Sequence, residues 1–191
     1  MMRFTTMKTK LRKYPSIFLI LLLAISSCFL TGCVNQHPKD SKKSSQGESV
    51  ETMLEITDPK EKQAVLNAKA KVKALSGNPR IVATSPAVAD ICDKLDLDLV
   101  GVPKSSVSKI PSRYKKVKKV GLAMSPDMEI VSSLNPDWIL APSSLETDLK
   151  PKFEELKNTE YAFLNLRSVQ GMYRSVQELG EIFGKQQEAE K

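Results

Sequence analysis

Residues 80–86 read Arg80-Ile81-Val82-Ala83-Thr84-Ser85-Pro86, and this stretch decides the fold class. Three consecutive apolar residues, two of them β-branched, predict a short strand buried on both faces. Ser85 then offers an N-cap side chain, and Pro86 sits where a helix has no use for an N–H. A buried strand that passes directly into a helix is the first half of a βαβ unit. The predicted helix carries Ala87, Val88, Ile91, Cys92 and Leu95 on its apolar face, and Leu99-Val100-Gly101-Val102 reads as the next strand.

The pattern repeats downstream. A loop rich in Lys and Ser covers 103–121. Ser125-Pro126 predicts another helix start, with Asp127 and Glu129 in a first turn where the helix dipole favours acids. Asn135-Pro136 closes that helix, and Asp137-Trp138-Ile139-Leu140-Ala141 is a strand. Ser143 and Glu146 have capping-box spacing for a helix through Leu156, kinked at Pro151. Tyr161-Ala162-Phe163-Leu164 is the fourth strand. From Ser168 the apolar residues Val169, Met172, Tyr173, Val176, Leu179, Ile182 and Phe183 follow helical spacing. Strand and helix thus alternate with short connections, which predicts an α/β domain on a parallel sheet. The last helix shows no C-cap before a charged run to Lys191, so the chain reads as a fragment whose final helix, 168–191, continues elsewhere.

Upstream of the α/β domain at 78–167, residues 57–77 read as a helical spacer. Thr57 or Asp58 would cap it, Pro59 fits its first turn, and Gly77 follows its end. Its weak apolar pattern is compatible with loose docking or with spacing. Residues 33–56 are polar and aperiodic, the composition of a flexible tether. His37, the one histidine in the sequence, falls here and reads as incidental.

Residues 1–32 are a signal segment. Arg3, Lys8, Lys10, Arg12 and Lys13 precede the uncharged apolar run Ile17 to Leu30, and no acid occurs before Asp40. The run falls short of the ~20 residues that span a bilayer comfortably. Leu30-Thr31-Gly32-Cys33 resembles the lipobox of bacterial lipoproteins. The resemblance implies cleavage before Cys33 and acylation of that cysteine, as by palmitate, anchoring the chain on the extracytoplasmic face of the cell membrane. Setting five of the 29 cations aside leaves 24 against 22 acids, a net charge of +2. The basic character is therefore mostly the export signal and does not argue for nucleic acid. With Cys28 removed and Cys33 acylated, Cys92 is left without a disulfide partner and reads as a small buried apolar group.

No catalytic constellation is present: there is no GxSxG, HExxH, Walker or GxGxxG pattern, and no histidine after His37. Two candidate helix starts do follow strand ends, at Thr84-Ser85-Pro86 and Met124-Ser125-Pro126. Open α/β sheets bind ligands at that edge, where helix N-termini suit carboxylates. Ordinary capping accounts for the same residues equally well.

Four strings carry a family resemblance: 80–86, then Ile110-Pro111-Ser112-Arg113-Tyr114, then Val120-Gly121-Leu122-Ala123-Met124-Ser125-Pro126-Asp127-Met128-Glu129, and Leu134-Asn135-Pro136-Asp137-Trp138-Ile139-Leu140. Together they resemble the N-terminal lobe of iron-compound substrate-binding proteins of ABC transporters, which have a two-lobed periplasmic-binding-protein fold joined by a long helix. The likeness is to the haem-binding lipoproteins of Gram-positive haem uptake, and it covers Pro79 to about Lys185. It implies haem as transported ligand, an ABC permease as partner, upstream haem-relay proteins at the surface, and no enzyme activity. It implies Met124 as an axial ligand of haem iron, a soft neutral thioether, and Val82, Ala83, Thr84 and Ser85 as the segment receiving haem propionates. Read without the resemblance, Met124 is first of all a gap-filling core methionine. The family's second axial ligand, a histidine of the C-terminal lobe, has no match here. A ferric siderophore or cobalamin carrier is the alternative, and a membrane-tethered interaction lipoprotein without small ligand the second. The lysines at 109, 115, 116, 118 and 119, with Arg113, read as a solvated loop or an attractor for propionates or anionic membrane.

Overall fold

The computed structural model describes residues 58–191, which belong to one compact unit. The signal segment, Cys33 and His37 lie outside the described residues.

Five parallel strands make the sheet: β1 (Ile81–Ala83), β2 (Leu99–Val102), β3 (Lys118–Lys119), β6 (Trp138–Pro142) and β7 (Glu160–Leu164), in the order β3-β2-β1-β6-β7. A small antiparallel pair, β4 (Gly121–Leu122) and β5 (Ser125–Pro126), forms a separate hairpin. Around the sheet lie α1 (Pro59–Lys73), α2 (Pro86–Lys94), α3 (Met128–Ser133), α4 (Glu146–Glu154), α5 (Val169–Phe183) and α6 (Gln186–Ala189).

Side chains alternate across a pleated strand, and the sheet accordingly separates two cores. Ile81, Ala83, Trp138 and Leu140 point to the face holding Val88, Cys92, Val176, Leu179 and Ile182. Val82, Ile139 and Ala141 point to the other, with Val131, Leu149, Phe153 and Phe163. Burial on both faces is why the strands read as unbroken apolar runs. The edge strand β3 is the one missed in the sequence, because two lysines carry no apolar signal.

Several expectations need correcting. The segment 57–77 is not a spacer: α1 packs on α5, burying Val65 and Ala68, with Lys69 paired to Glu181 at 3.4 Å and Arg174 to Glu61 at 3.5 Å. The last helix does have a stop. Gly184 takes the left-handed conformation (φ 69°, ψ 33°), and the Lys185 N–H closes back on the Gly180 carbonyl at 2.6 Å, so 168–191 is not one continuous helix. The capping box at Ser143 does not form, since Ser143–Leu145 is a 3-10 turn and α4 starts at Glu146 without a side-chain cap. Finally, Ser125-Pro126 opens no helix. Asp127 is the N-cap of α3, accepting from the amides of Glu129 and Ile130 at 3.1 Å each.

Candidate functional site

The chain runs from β1 to β2 and β3 on one side of the sheet, then crosses to β6 and β7 on the other. The switch point lies between β1 and β6, and open α/β sheets bind ligands outside the strand ends there. Thr84 and Ser85 stand at that point. Both the amide and the hydroxyl of Thr84 donate to the Leu140 carbonyl, at 3.0 and 3.3 Å, stitching the two strand ends together. The Ser85 hydroxyl accepts from the Val88 amide at 3.3 Å, and its carbonyl from Ala89.

This placement revises the role expected of Val82, Ala83, Thr84 and Ser85. Val82 and Ala83 have no exposure, and their side chains enter opposite cores. Thr84 and Ser85 are buried with their side chains already engaged. None of the four extends a side chain toward a ligand, so they build the floor of the site. Ala87 is exposed in the first turn of α2, where helix amides have no preceding carbonyl to bond, and its N–H is the donor this turn offers.

Met124 stands out. The hairpin pairs Gly121 with Pro126 and Leu122 with Ser125, leaving Ala123 and Met124 as a two-residue turn. Such turns normally take positive φ at one or both central residues to match strand twist. Here neither residue does; Gly121 carries the adjustment instead, at φ 97°. The base of the hairpin is clamped on both sides. The Lys104 amide donates to the Gly121 carbonyl and the Asp127 amide to the Val120 carbonyl, each at 2.7 Å, while the Val120 amide bonds the Val102 carbonyl at 2.9 Å at the end of β2. A fixed base thus presents an apolar tip, with Met124 72% exposed and Leu122 56% exposed. A core-filling methionine would be buried; this one is not. Met128, by contrast, packs against the core with Val131 and Ile139.

On the far flank, α5 starts just after the end of β7. Ser168 caps it, accepting from the Gly171 amide at 3.0 Å, and Val169, Met172 and Tyr173 are exposed on its first turns. Four interstrand spacings of about 4.8 Å separate β3 from β7, so the carboxyl edge is roughly 19 Å wide with apolar side chains at either end.

Ionisable groups serve structure. Burial drives the Cys92 thiol up to about 12, which leaves it a protonated core group. The Arg113 guanidinium reaches Asp96 at 2.6 Å and Asp98 at 2.9 Å and lies over the Tyr114 ring. Tyr114 is buried and donates to the Leu97 carbonyl at 2.5 Å. The Pro-Ser-Arg-Tyr string therefore fastens the loop after β2 to the turn before it, at the sheet end opposite the site. Trp138 also lies at that opposite end, buried edge-on against Phe183, so a ligand at the carboxyl edge does not touch it. Between α1 and α5, Glu178 is buried; loss of solvent, then the neighbouring Glu61, pushes its carboxyl up to about 7. Among the described residues no cluster of His, Cys, Asp and Glu converges on a metal position, and no helix is long and apolar enough to cross a membrane.

A family model described as periplasmic binding protein matches residues 81–191. The chain belongs to the periplasmic binding protein family. As a member it is 37% identical, over 114 residues, to the high-affinity heme uptake system protein IsdE of Staphylococcus aureus strain Newman, a match covering 60% of this chain and 38% of the relative. Among solved structures, an ABC transporter substrate-binding protein from Listeria monocytogenes EGD-e superposes with TM-score 0.57 at 45% identity, covering 60% of this chain and 43% of the other. S. aureus IsdE complexed with heme superposes with TM-score 0.56 at 36% identity over the same shares. The petrobactin-binding protein YclQ of Bacillus subtilis reaches 0.51 at 25% identity, covering 59% of this chain and 41% of YclQ. This periplasmic-binding-protein chain spans well under half the length of those relatives. The family resemblance read from the four sequence strings, and the lobe-type α/β fold it implied, are borne out.

The hairpin is the element of the candidate site that the sequence alone does not show. Its signal was Gly121 five residues before Pro126, a positive-φ residue facing a strand that cannot extend a ladder, but Ser-Pro is also a strong helix-start signal and masked it.

Proposed function

We propose that this chain is the N-terminal, ligand-gripping lobe of a lipid-anchored substrate-binding protein that captures haem outside the cytoplasmic membrane and hands it to an ABC permease. One observation carries the ligand reading: a methionine thioether stands 72% exposed at the tip of a hairpin clamped at its base, on the edge where this fold binds ligands. Exposing Met124 and Leu122 to water is unfavourable unless a ligand or partner covers them, and a flat apolar porphyrin covers them well. The thioether then meets the iron as a soft axial ligand. The Ala87 amide at the α2 N-terminus is placed for a propionate. The 37% identity to IsdE supports haem over other iron compounds. Residues 58–191 contain no histidine, so they supply one side of the iron's coordination. The anchor belongs to Cys33, and the hand-over to the permease follows from the family.

Haemin titration of the full chain tests the ligand. A sharpened, shifted Soret band is expected with the unchanged protein, and its loss in Met124→Leu, which keeps the apolar volume without the ligand atom. An identical Soret band in both removes Met124 as ligand. Labelled palmitate incorporation that persists in Cys33→Ala removes the anchor reading.

The likeness to YclQ keeps a ferric siderophore as the second reading. It predicts tight binding of ferric siderophore, indifferent to Met124→Leu, and no haemin spectrum. Because Trp138 is buried at the opposite end of the sheet, its fluorescence reports either ligand only through long-range transfer, and calorimetry is the better readout.

A further inference from the structure

Seven cations lie between Asp98 and Asp127 with no acid among them: Lys104, Lys109, Arg113, Lys115, Lys116, Lys118 and Lys119. Arg113 is matched by Asp93, Asp96 and Asp98. Among the described residues, no carboxylate pairs with any of the six lysines. Five of the six are exposed and Lys119 is half-buried. The chain after residue 32 carries +2 overall and this segment +7, so the rest of it is net −5. Positive charge is collected in one place.

That place is one edge of the domain. The loop leaves β2, is fastened by Arg113 to the turn before β2, and returns as β3, the outermost strand. Lysines on an edge strand also discourage strand pairing between molecules. This accounts for Lys118 and Lys119 only, since Lys104, Lys109, Lys115 and Lys116 lie on no strand. At the loop tip, between Lys104 and Lys109, Val107 is 96% exposed and flanked by Ser105, Ser106 and Ser108.

We infer that this lysine-rich edge docks on an anionic lipid headgroup layer. Each lysine held near such a surface adds attraction that decays within a Debye length, and Val107 is placed to enter the apolar zone beneath the headgroups. The strip lacks the aromatic and buried anchors on which a protein interface depends, which favours lipid over an acidic protein face. The anchor proposed at Cys33 supplies proximity, because a 33–56 tether reaches at most about 80 Å; the attraction itself does not require it. Docking through this edge would hold the domain down on the membrane beside its permease.

The full chain is bound to vesicles of phosphatidylcholine alone or with phosphatidylglycerol, and lysines are footprinted with an amine-reactive reagent read by mass spectrometry. Lys62 and Lys157, exposed and outside the strip, serve as references. Labelling of the strip should fall about fivefold or more on the anionic vesicles, recover in high salt, and show no fall at Lys104 and Lys119 in the variant Lys109→Gln/Lys115→Gln/Lys116→Gln/Lys118→Gln. Equal labelling on both vesicles overturns the inference. So does protection seen only in native membranes and not on phosphatidylglycerol, which assigns the strip to a protein partner. None of the four substituted lysines lies on the Met124 hairpin, so the variant should keep its haemin spectrum; the two proposals stand or fall separately.

Discussion

Gly121→Ala attacks the hairpin without touching the thioether it presents. Gly121 has φ 97°, and a Cβ built there would meet the Asp127 amide nitrogen at 2.9 Å and the Ser125 carbonyl oxygen at 3.1 Å, both backbone atoms that cannot swing aside. Forcing an L-residue into such a conformation costs about 1–3 kcal/mol. Displacing Asp127 also weakens its bond to the Val120 carbonyl, worth about 1 kcal/mol more. The sum, roughly 2–4 kcal/mol, exceeds what a two-rung exposed hairpin holds by itself, so the molecule relieves the strain by opening the hairpin locally. At 1.36 kcal/mol per decade, the Asp127 and Lys104 amides should exchange about 30- to 1,000-fold faster, while amides of β1 and β6 exchange nearly as before. The thermal midpoint should move little, and haemin should lose its Soret shift although Met124 is intact. Gly77→Ala, with ordinary φ and open space around it, is the neutral control. Unchanged exchange at Asp127 and Lys104, or a full haemin spectrum with an opened hairpin, would refute the reasoning.

Other consequences follow from the same structure. Glu178 has its carboxyl raised from the ordinary 4.5 to about 7 by burial and then by Glu61. Its contribution is therefore fully present below about pH 4.5 and lost as pH rises through 7. Urea unfolding at pH 6 and pH 8 should show lower stability at pH 8, by about 1.4 kcal/mol, and Glu178→Gln should flatten the difference; a profile unchanged by the substitution contradicts the placement. Gly101→Ala inserts a methyl 2.8 Å from Val120 and 2.9 Å from Leu134, and overpacking should cost about 1–3 kcal/mol in denaturant; a neutral result would mean the β2–α3 contact is looser than described. Ser85→Ala removes the α2 cap and should cost about 1 kcal/mol with little effect on haemin binding, since the Ser85 side chain is spent on Val88. Cys92, wholly buried with its thiol near 12, should resist alkylation in native protein and label at the global unfolding rate; rapid native labelling would show that the core around it opens locally.

The fold was largely legible because its strands are buried on both faces. The runs at 81–83, 99–102, 138–142 and 160–164 carry an apolar signal set apart from the polar and helical stretches around them. Where that signal stops, so did the reading. The strand at Lys118–Lys119 is an edge with exposed lysine, and periodicity has nothing to register there. The docking of α1 depends on a narrow contact through Val65 and Ala68, and a helix so rich in lysine looks solvated from its sequence. The site was half legible. The string around Met124 singles that residue out, and the structure leaves it exposed, but Ser-Pro within the same string is a helix-start signal. Only the partner strand at Gly121–Leu122 reveals a hairpin, and pairing is a tertiary fact. The side chains of Val82 and Ala83 lie in the two cores: nearness in sequence to a ligand edge does not turn a core side chain outward.

The central claim is that Met124 places sulfur on the iron of a captured haem. Iron-edge X-ray absorption on the haemin-loaded full chain measures this directly. The account predicts a sulfur scatterer in the first coordination shell of the unchanged protein and its absence in Met124→Leu. A first shell of nitrogen and oxygen alone in the unchanged protein, or a sulfur that survives the substitution, would contradict it.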